Sequence, residues 1–250
     1  MKKYANHLIT PQQITLIFDA GAPISVYRDD PGYEKVLSCL RSGEYDKVIG
    51  LIDKPTQINE YTKGKFVVRD GVVHIANEAL PIELSDKLLE LVDANEETQP
   101  LERFWQNLKR NPSKDSRQDL FAFLRANKIP ITPNGCFIAY KKVRDNWLDS
   151  HSGTISNKPG TIVKMERSHV DANSSNTCSF GLHVAAYSYA FNFTGGILLE
   201  VEVNPRDVVA VPPDYNQQKM RVCRYRVLRR AEREIQELVY RKTPNKVSKN

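Results

Sequence analysis

Residues 197–203 read ILLEVEV, and how that stretch is taken decides whether the second half of the chain is sheet or helix. Ile197, Leu199, Val201 and Val203 alternate with Leu198, Glu200 and Glu202, a period of two that puts one apolar row on one face of a strand. CFIAYKKV at 136–143, TIVKM at 161–165, DVVAVP at 207–212 and RVCRYRVL at 221–228 repeat that β-branched and aromatic character. Together they predict a twisted, antiparallel-rich sheet in the C-terminal half.

Between those strands lies NTCSFGLHVAAYSYAFNF, residues 176–193. Val184, Tyr187 and Phe191 have the spacing of one helical face, which predicts a helix from about residue 183, entered through a Ser179-Phe180-Gly181 turn. Gly181 then supplies a positive φ, and Cys178 is read as a small buried side chain. Ala231, Ile235, Leu238 and Val239 predict one more helix near the end.

Upstream the signals are short and local. Apolar alternation on both sides of Gly21-Ala22-Pro23 predicts a hairpin over 14–29, and two short helices, YEKVLSCL and YDKVIGLI, are separated by Ser42-Gly43. KFVVRDGVVHIA at 65–76 reads as a hairpin turning at Asp70-Gly71, with His74 as an ordinary strand residue. Helical spacing of Leu84, Leu88, Leu91 and Val92, then LERFWQNLKR, predicts a helical segment over 82–127. Asn111-Pro112 interrupts it, and Ser116 with Asp119 resembles a capping box. The fold class is therefore α+β: hairpins and short helices first, a helical middle, then the sheet with one or two helices. The Pro- and Gly-rich connector KIPITPNG divides a domain over 1–128 from one over 129–242, leaving a disordered basic tail at 243–250.

With 250 residues, 40% of them apolar and 26% charged, the chain has a globular composition. MKKYANHLITPQQ lacks the apolar core of a signal peptide, and no apolar run approaches the roughly 20 residues of a membrane span, so the chain is expected to be neither secreted nor membrane-spanning. Cys39, Cys136, Cys178 and Cys223 form no C-x-x-C pair and read as reduced cytoplasmic thiols. The net charge of +6 is concentrated late. Residues 217–250 hold eleven Lys or Arg against three Glu, while the first 216 hold 25 basic against 27 acidic residues. On RVCRYRVLRR, Arg224 and Arg226 share one strand face, and Arg229, Arg230 and Arg233 continue the basic surface, which fits an acidic partner or an anionic membrane; a nucleic acid is a further alternative.

Site chemistry reads three ways. Cys178 and His183 supply two zinc ligands of the four a structural site needs, with His151 or His169 to be brought from loops, and the absence of paired spacing argues that no metal is held. A thiol nucleophile would need His183 as base and an oxyanion hole. FGLHVAAYSYAF also loosely resembles the nicotinamide-binding core of ADP-ribosyltransferases, a resemblance that gives Tyr140 or Tyr187 a stacking role and Glu200 or Glu202 a charge-stabilising one. A ligand pocket on any of these readings gathers Tyr140, His151, Cys178, Gly181, His183, Tyr187 and Glu200. Walker, dinucleotide-binding and nucleophile-elbow motifs are missing, and DSHSG at 149–153 reads as a self-satisfied polar turn.

NPSKDSRQDLFAFL, PITPNGCFIAYKKV, CSFGLHVA and VNPRDVVAVPPDYNQQKMRVCRY, in that order over 111–226, resemble the rIIB lysis-inhibition protein family of tailed phages, and NHLITPQQITLIFDAG and VYRDDPGYEKV extend the resemblance toward the N-terminus. The resemblance implies an early-expressed phage protein in the host cytoplasm, working with a larger rIIA-type partner at or near the inner membrane. It implies a part in lysis timing and in protection from prophage-induced early lysis. It brings no catalytic residues and no cofactor, so a regulatory, non-enzymatic protein is expected. The T-even form opens with a helix-turn-helix-like segment, whereas this chain opens directly at NHLITPQQ, so no nucleic-acid role is carried over from that segment.

Overall fold

The computed structural model describes residues 3–240 other than 31, 53, 70 and 128. The chain divides into two compact units, Met1–Ser85 with Val92–Ala94, and Asp86–Leu91 with Asn95–Asn250. Residue 129, where the connector was expected to divide the chain, falls inside the second unit.

In the first unit, β1 (Tyr4–Ile9), β2 (Gln13–Phe18) and β3 (Ile24–Tyr27) form an antiparallel three-stranded sheet, so the expected hairpin gains a third strand before it. β2 turns Ile14, Leu16 and Phe18 inward. They meet Tyr33, Val36, Leu37 and Leu40 of α1 (Tyr33–Ser42) and Val48 of α2 (Tyr45–Ile52). Gly43 ends α1 in the left-handed conformation, φ 73°, its N–H closing on Leu40. A third helix, α3 (Lys54–Tyr61), precedes the sheet of β4 (Phe66–Arg69), β5 (Val72–Ile75) and β6 (Glu78–Ala79). Arg69 faces Val72 across the predicted turn, of which Asp70 lies outside the described residues. α4 (Ile82–Asp93) then contributes residues to both units.

The second unit opens with α5 (Gln99–Lys109) and α6 (Lys114–Ala126). The cap of α6 is Ser113, whose Oγ accepts from the Ser116 N–H at 3.1 Å. The capping box expected from Ser116 is displaced because that side chain is buried inside the helix and donates to the Val209 carbonyl at 2.6 Å. Fully buried Asn111, at the break between the helices, donates to the carbonyls of Pro205 and Val208 and accepts from Ser113 N–H and Arg167.

The remaining strands are β7 (Phe137–Val143), β8 (Ile162–Lys164), β9 (Leu182–Ala185), β10 (Ile197–Val203), β11 (Val208–Ala210), β12 (Lys219–Val222) and β13 (Arg224–Arg230), with one short helix, α7 (Tyr187–Asn192), after β9. They make a seven-stranded sheet in the order β11-β12-β9-β7-β10-β13-β8, with neighbouring strands antiparallel. β10 sits inside it, in register with all seven residues of β7 and against β13 through a bulge at Glu200/Val201. Its Leu199, Val201 and Val203 row is wholly buried. Phe137, on β7, has ring centroids 6.3 Å from both Phe104 of α5 and Phe123 of α6. On the opposite face Ile138, Tyr140, Leu198, Ala185 and Ala190 form a second core closed by Ile235 and Tyr240.

Two helix expectations are corrected. Residues 182–185 are strand, paired with Lys219–Val222, so the helix begins only at Tyr187. Val184 is buried in the sheet while Phe191 is exposed, and the three residues do not share one face. Ala231–Val239 is not helical. The chain runs extended beside Ile131, whose N–H donates to Leu238 O and whose carbonyl accepts from Tyr240 N–H, and this pairing replaces the internal hydrogen bonds of a helix.

Gly181 enters β9 at φ 150°, and a Cβ there would stand 2.8 Å from Val170 Cγ1 and 3.3 Å from two atoms of Arg221. Gly181→Val is therefore expected to lower stability by about 1–3 kcal/mol from backbone strain, before any added clash. Urea unfolding of the variant beside Gly181→Ala checks this; an unchanged midpoint for valine would remove the constraint.

Candidate functional site

The sequence-predicted pocket residues fall in separate places within the second unit. Arg221, fully buried on β12, donates from Nε to Asp171 O at 2.9 Å and from its two Nη atoms to Asn173 O and Asn176 O at 2.6 Å each. The 171–181 segment is thus wrapped around a guanidinium with its carbonyls inward, and its side chains turn outward. Cys178 is exposed as a result, correcting the expectation of a buried thiol. His151 is exposed on its own loop, and His183 is half-buried on β9. Among the described residues no three of His, Cys, Asp or Glu stand together as a metal site.

His183 carries the strongest histidine perturbation. Burial, then the positive charges of Lys141, Arg221, Lys219 and His151, pull its pKa down to about 4. Lys141 itself is a lysine turned inward. Its Nζ donates to the His183 carbonyl at 2.9 Å and lies 5.7 Å from the Tyr225 ring, and burial lowers its pKa to about 8 despite Asp149. Two consecutive lysines on a buried strand, Lys141 and Lys142, were the signal for this, since alternation forces one of them to the apolar side. The DSHSG turn is self-satisfied as expected. Burial raises the Asp149 carboxyl, but the Ser152 hydroxyl and the N–H groups of Ile155, Ser152 and Thr154 outweigh it and hold the group well below the usual range.

Tyr140, Tyr187 and Glu200 do converge, but on the chain's own 231–240 segment. Tyr140 Oη accepts from Ile235 N–H at 2.9 Å, and its ring meets Tyr187 edge-on at 5.1 Å. Glu200 is 2% exposed, ion-paired with Arg229 at 2.7 Å, and accepts from Tyr240 Oη at 3.4 Å. The Glu200 carboxylate is therefore covered and committed within the fold. A cavity of about 200 Å³ remains beside Tyr140 and Tyr187, lined also by Asn127, Ser188, Gln218 and Gln236.

The five arginines separate as well. Arg229 belongs to Glu200, Arg230 is exposed at the end of β13, and Arg233, in the extended segment, stands 3.6 Å from Glu237. Arg224 and Arg226 are exposed on one face of β13 while Tyr225 and Val227 are buried on the other. With Arg206, Glu202, Asn204 and Asn134 they line a groove of about 260 Å³. Arg206 and Asn204 come from the NPRD turn, where Asn204 Oδ1 accepts from Arg206 N–H, and Asn134 from the PNG turn before β7. The PNG turn belongs to the stretch read from sequence as a connector, and only Asn-Gly and Asn-Pro chemistry marked the two turns.

A seven-stranded antiparallel sheet with helices packed on it, beside smaller three-stranded sheets and short helices, defines an α+β protein. The family model "Bacteriophage T4 protein rIIB" matches residues 2–236, and the chain belongs to that family. It is 37% identical over 198 residues to protein rIIB of Enterobacteria phage T4, covering 78% of this chain and 64% of that protein. No solved structure matches it.

The depressed pKa of His183 sets a sign for the pH response. The folded state keeps the ring neutral down to about pH 4, whereas the unfolded chain takes up the proton near 6.5. This contribution is complete above about pH 6.5 and is lost as pH falls toward 4, with a slope of up to about 1.4 kcal/mol per pH unit. Denaturant titrations across that window should show a shallower slope for His183→Gln than for the parent; parallel slopes would remove the assignment.

Proposed function

We propose that this chain is a regulatory interaction protein of lysis inhibition, acting in the host cytoplasm with a larger rIIA-type phage protein near the inner membrane. The observation that carries this reading is the family match over residues 2–236. Two features of the molecule support it. The residues with catalytic potential are either exposed singly, as Cys178 and His151 are, or committed inside the fold, as Glu200 is. Among the described residues no helix is long and apolar enough to cross a membrane, so contact with a bilayer would be peripheral.

Arg230 and Arg233 are the exposed cations suited to an anionic leaflet, each contributing about 1 kcal/mol at most near such a surface. Arg229 is excluded, because reversing it would break the Glu200 pair and damage the fold.

Affinity purification of the tagged chain from infected cells is expected to recover one larger phage-encoded protein in the membrane fraction. Absence of such a partner from both soluble and membrane fractions would overturn the reading. In sedimentation with phosphatidylserine-containing vesicles, Arg230→Glu with Arg233→Glu is expected to weaken binding severalfold at low salt. Binding equal to the parent would exclude this surface as the membrane contact.

A further inference from the structure

The groove on the β10–β13 face has a composition that a plain acidic-partner surface does not need. Arg226 lies opposite Glu202 in the antiparallel register, yet the two form no ion pair, and among the described residues neither side chain has a hydrogen bond. Among the described residues Arg224 likewise has no side-chain hydrogen bond, and its charge acts on Asp207, which Arg206 contacts at 3.3 Å. Three guanidinium groups therefore surround the groove, with Arg224 and Arg226 uncommitted, beside two carboxylates and two Asn side chains.

Size and charge pattern together limit the ligand. About 260 Å³ lies just below the roughly 300–1,000 Å³ of drug-sized pockets, so the occupant is small. Guanidinium groups recognise a phosphate through paired N–H donors. Glu202 and Asp207 would repel the next phosphate of a nucleic-acid strand, but a carboxylate and an Asn carbonyl accept from sugar hydroxyls. Cys136, at the groove wall, has its thiol pushed up to about 12 by burial and remains protonated, so the site is suited to binding and not to thiol chemistry.

We propose that this groove binds a single sugar phosphate, free or as part of a mononucleotide, with the phosphate on Arg224 and Arg226 and the sugar hydroxyls on Glu202 and the Asn134 and Asn204 side chains. The site is separate from the Arg230 and Arg233 surface and does not depend on the membrane reading.

Isothermal titration of the full chain tests it with inorganic phosphate, ribose 5-phosphate, adenosine 5′-monophosphate and ribose. Ribose 5-phosphate is expected to bind about tenfold or more tightly than inorganic phosphate, and ribose not at all. Comparison with adenosine 5′-monophosphate separates the two sources: tighter binding of the nucleotide assigns one, and equal or weaker binding the free sugar phosphate. Arg224→Ala and Arg226→Ala, both exposed and free of hydrogen bonds, should fold normally and each lose about tenfold in affinity. Arg226→Lys, which keeps the charge, should lose less. Glu202→Gln should weaken ribose 5-phosphate and leave inorganic phosphate unchanged or tighter. No binding of any phosphate at millimolar concentration, equal affinity for inorganic phosphate and ribose 5-phosphate, or unchanged binding by the arginine variants would each overturn the proposal. Loss of phosphate binding with partner capture intact would sink this inference alone; loss of partner capture with phosphate binding intact would sink only the regulatory reading.

Discussion

A guanidinium taken wholly out of water has to find acceptors, and each of the three nitrogens of Arg221 has one without a carboxylate in hydrogen-bond contact. Its acceptors are three backbone carbonyls, at residues 171, 173 and 176, so the charge sets the path of the chain from Asp171 toward Gly181. That path is fastened again at Asp171, whose carboxylate is held down to about 2 by the Ser179 hydroxyl, the Asn176 amide and the Asn173 N–H. The approach to β9 follows, with Gly181 where no larger residue fits between Val170 and Arg221. The same requirement explains why Cys178 is offered to solvent: a loop that spends its carbonyls inward has its side chains left for the outside.

Much of the fold was legible because it is written in local period and turn chemistry. Alternation in ILLEVEV gave the strand that pairs along its whole length with β7, and Leu84, Leu88 and Leu91 marked a helix whose stripe is buried. The misreadings occur where long-range backbone pairing competes with helical spacing. Ala231, Ile235 and Leu238 have the right period for a helix, but the segment finds partners in Ile131 and Tyr140 and stays extended. Leu182–Ala185 is likewise claimed by the edge of β12. The candidate site divides in the same way. The shared face of Arg224 and Arg226 follows from a period of two, whereas Asn134 reaches it from the turn before β7 and Asn204 from the turn after β10, a convergence no local pattern records.

Side chains that looked like chemistry in the sequence serve the fold: Glu200 neutralises Arg229 beneath Tyr240, and Tyr140 accepts from Ile235 N–H; the inward Lys141 is likewise tied to the backbone of its neighbour strand. On the outside of β13, Arg224 and Arg226 stand without a side-chain hydrogen bond among the described residues.

The strand order has a consequence in time. β7 is made early, yet its partners β9 and β10 follow only after the whole of 144–181, and β8 waits at the sheet edge for β13. In the first unit, by contrast, each strand within a sheet pairs with the next one along the chain. Pairings between distant segments close loops before any contact rewards them, so the hairpin unit should form well ahead of the large sheet. In that interval the β-branched edges of β7 stand unpaired, which makes the refolding yield of the second unit a matter of protein concentration.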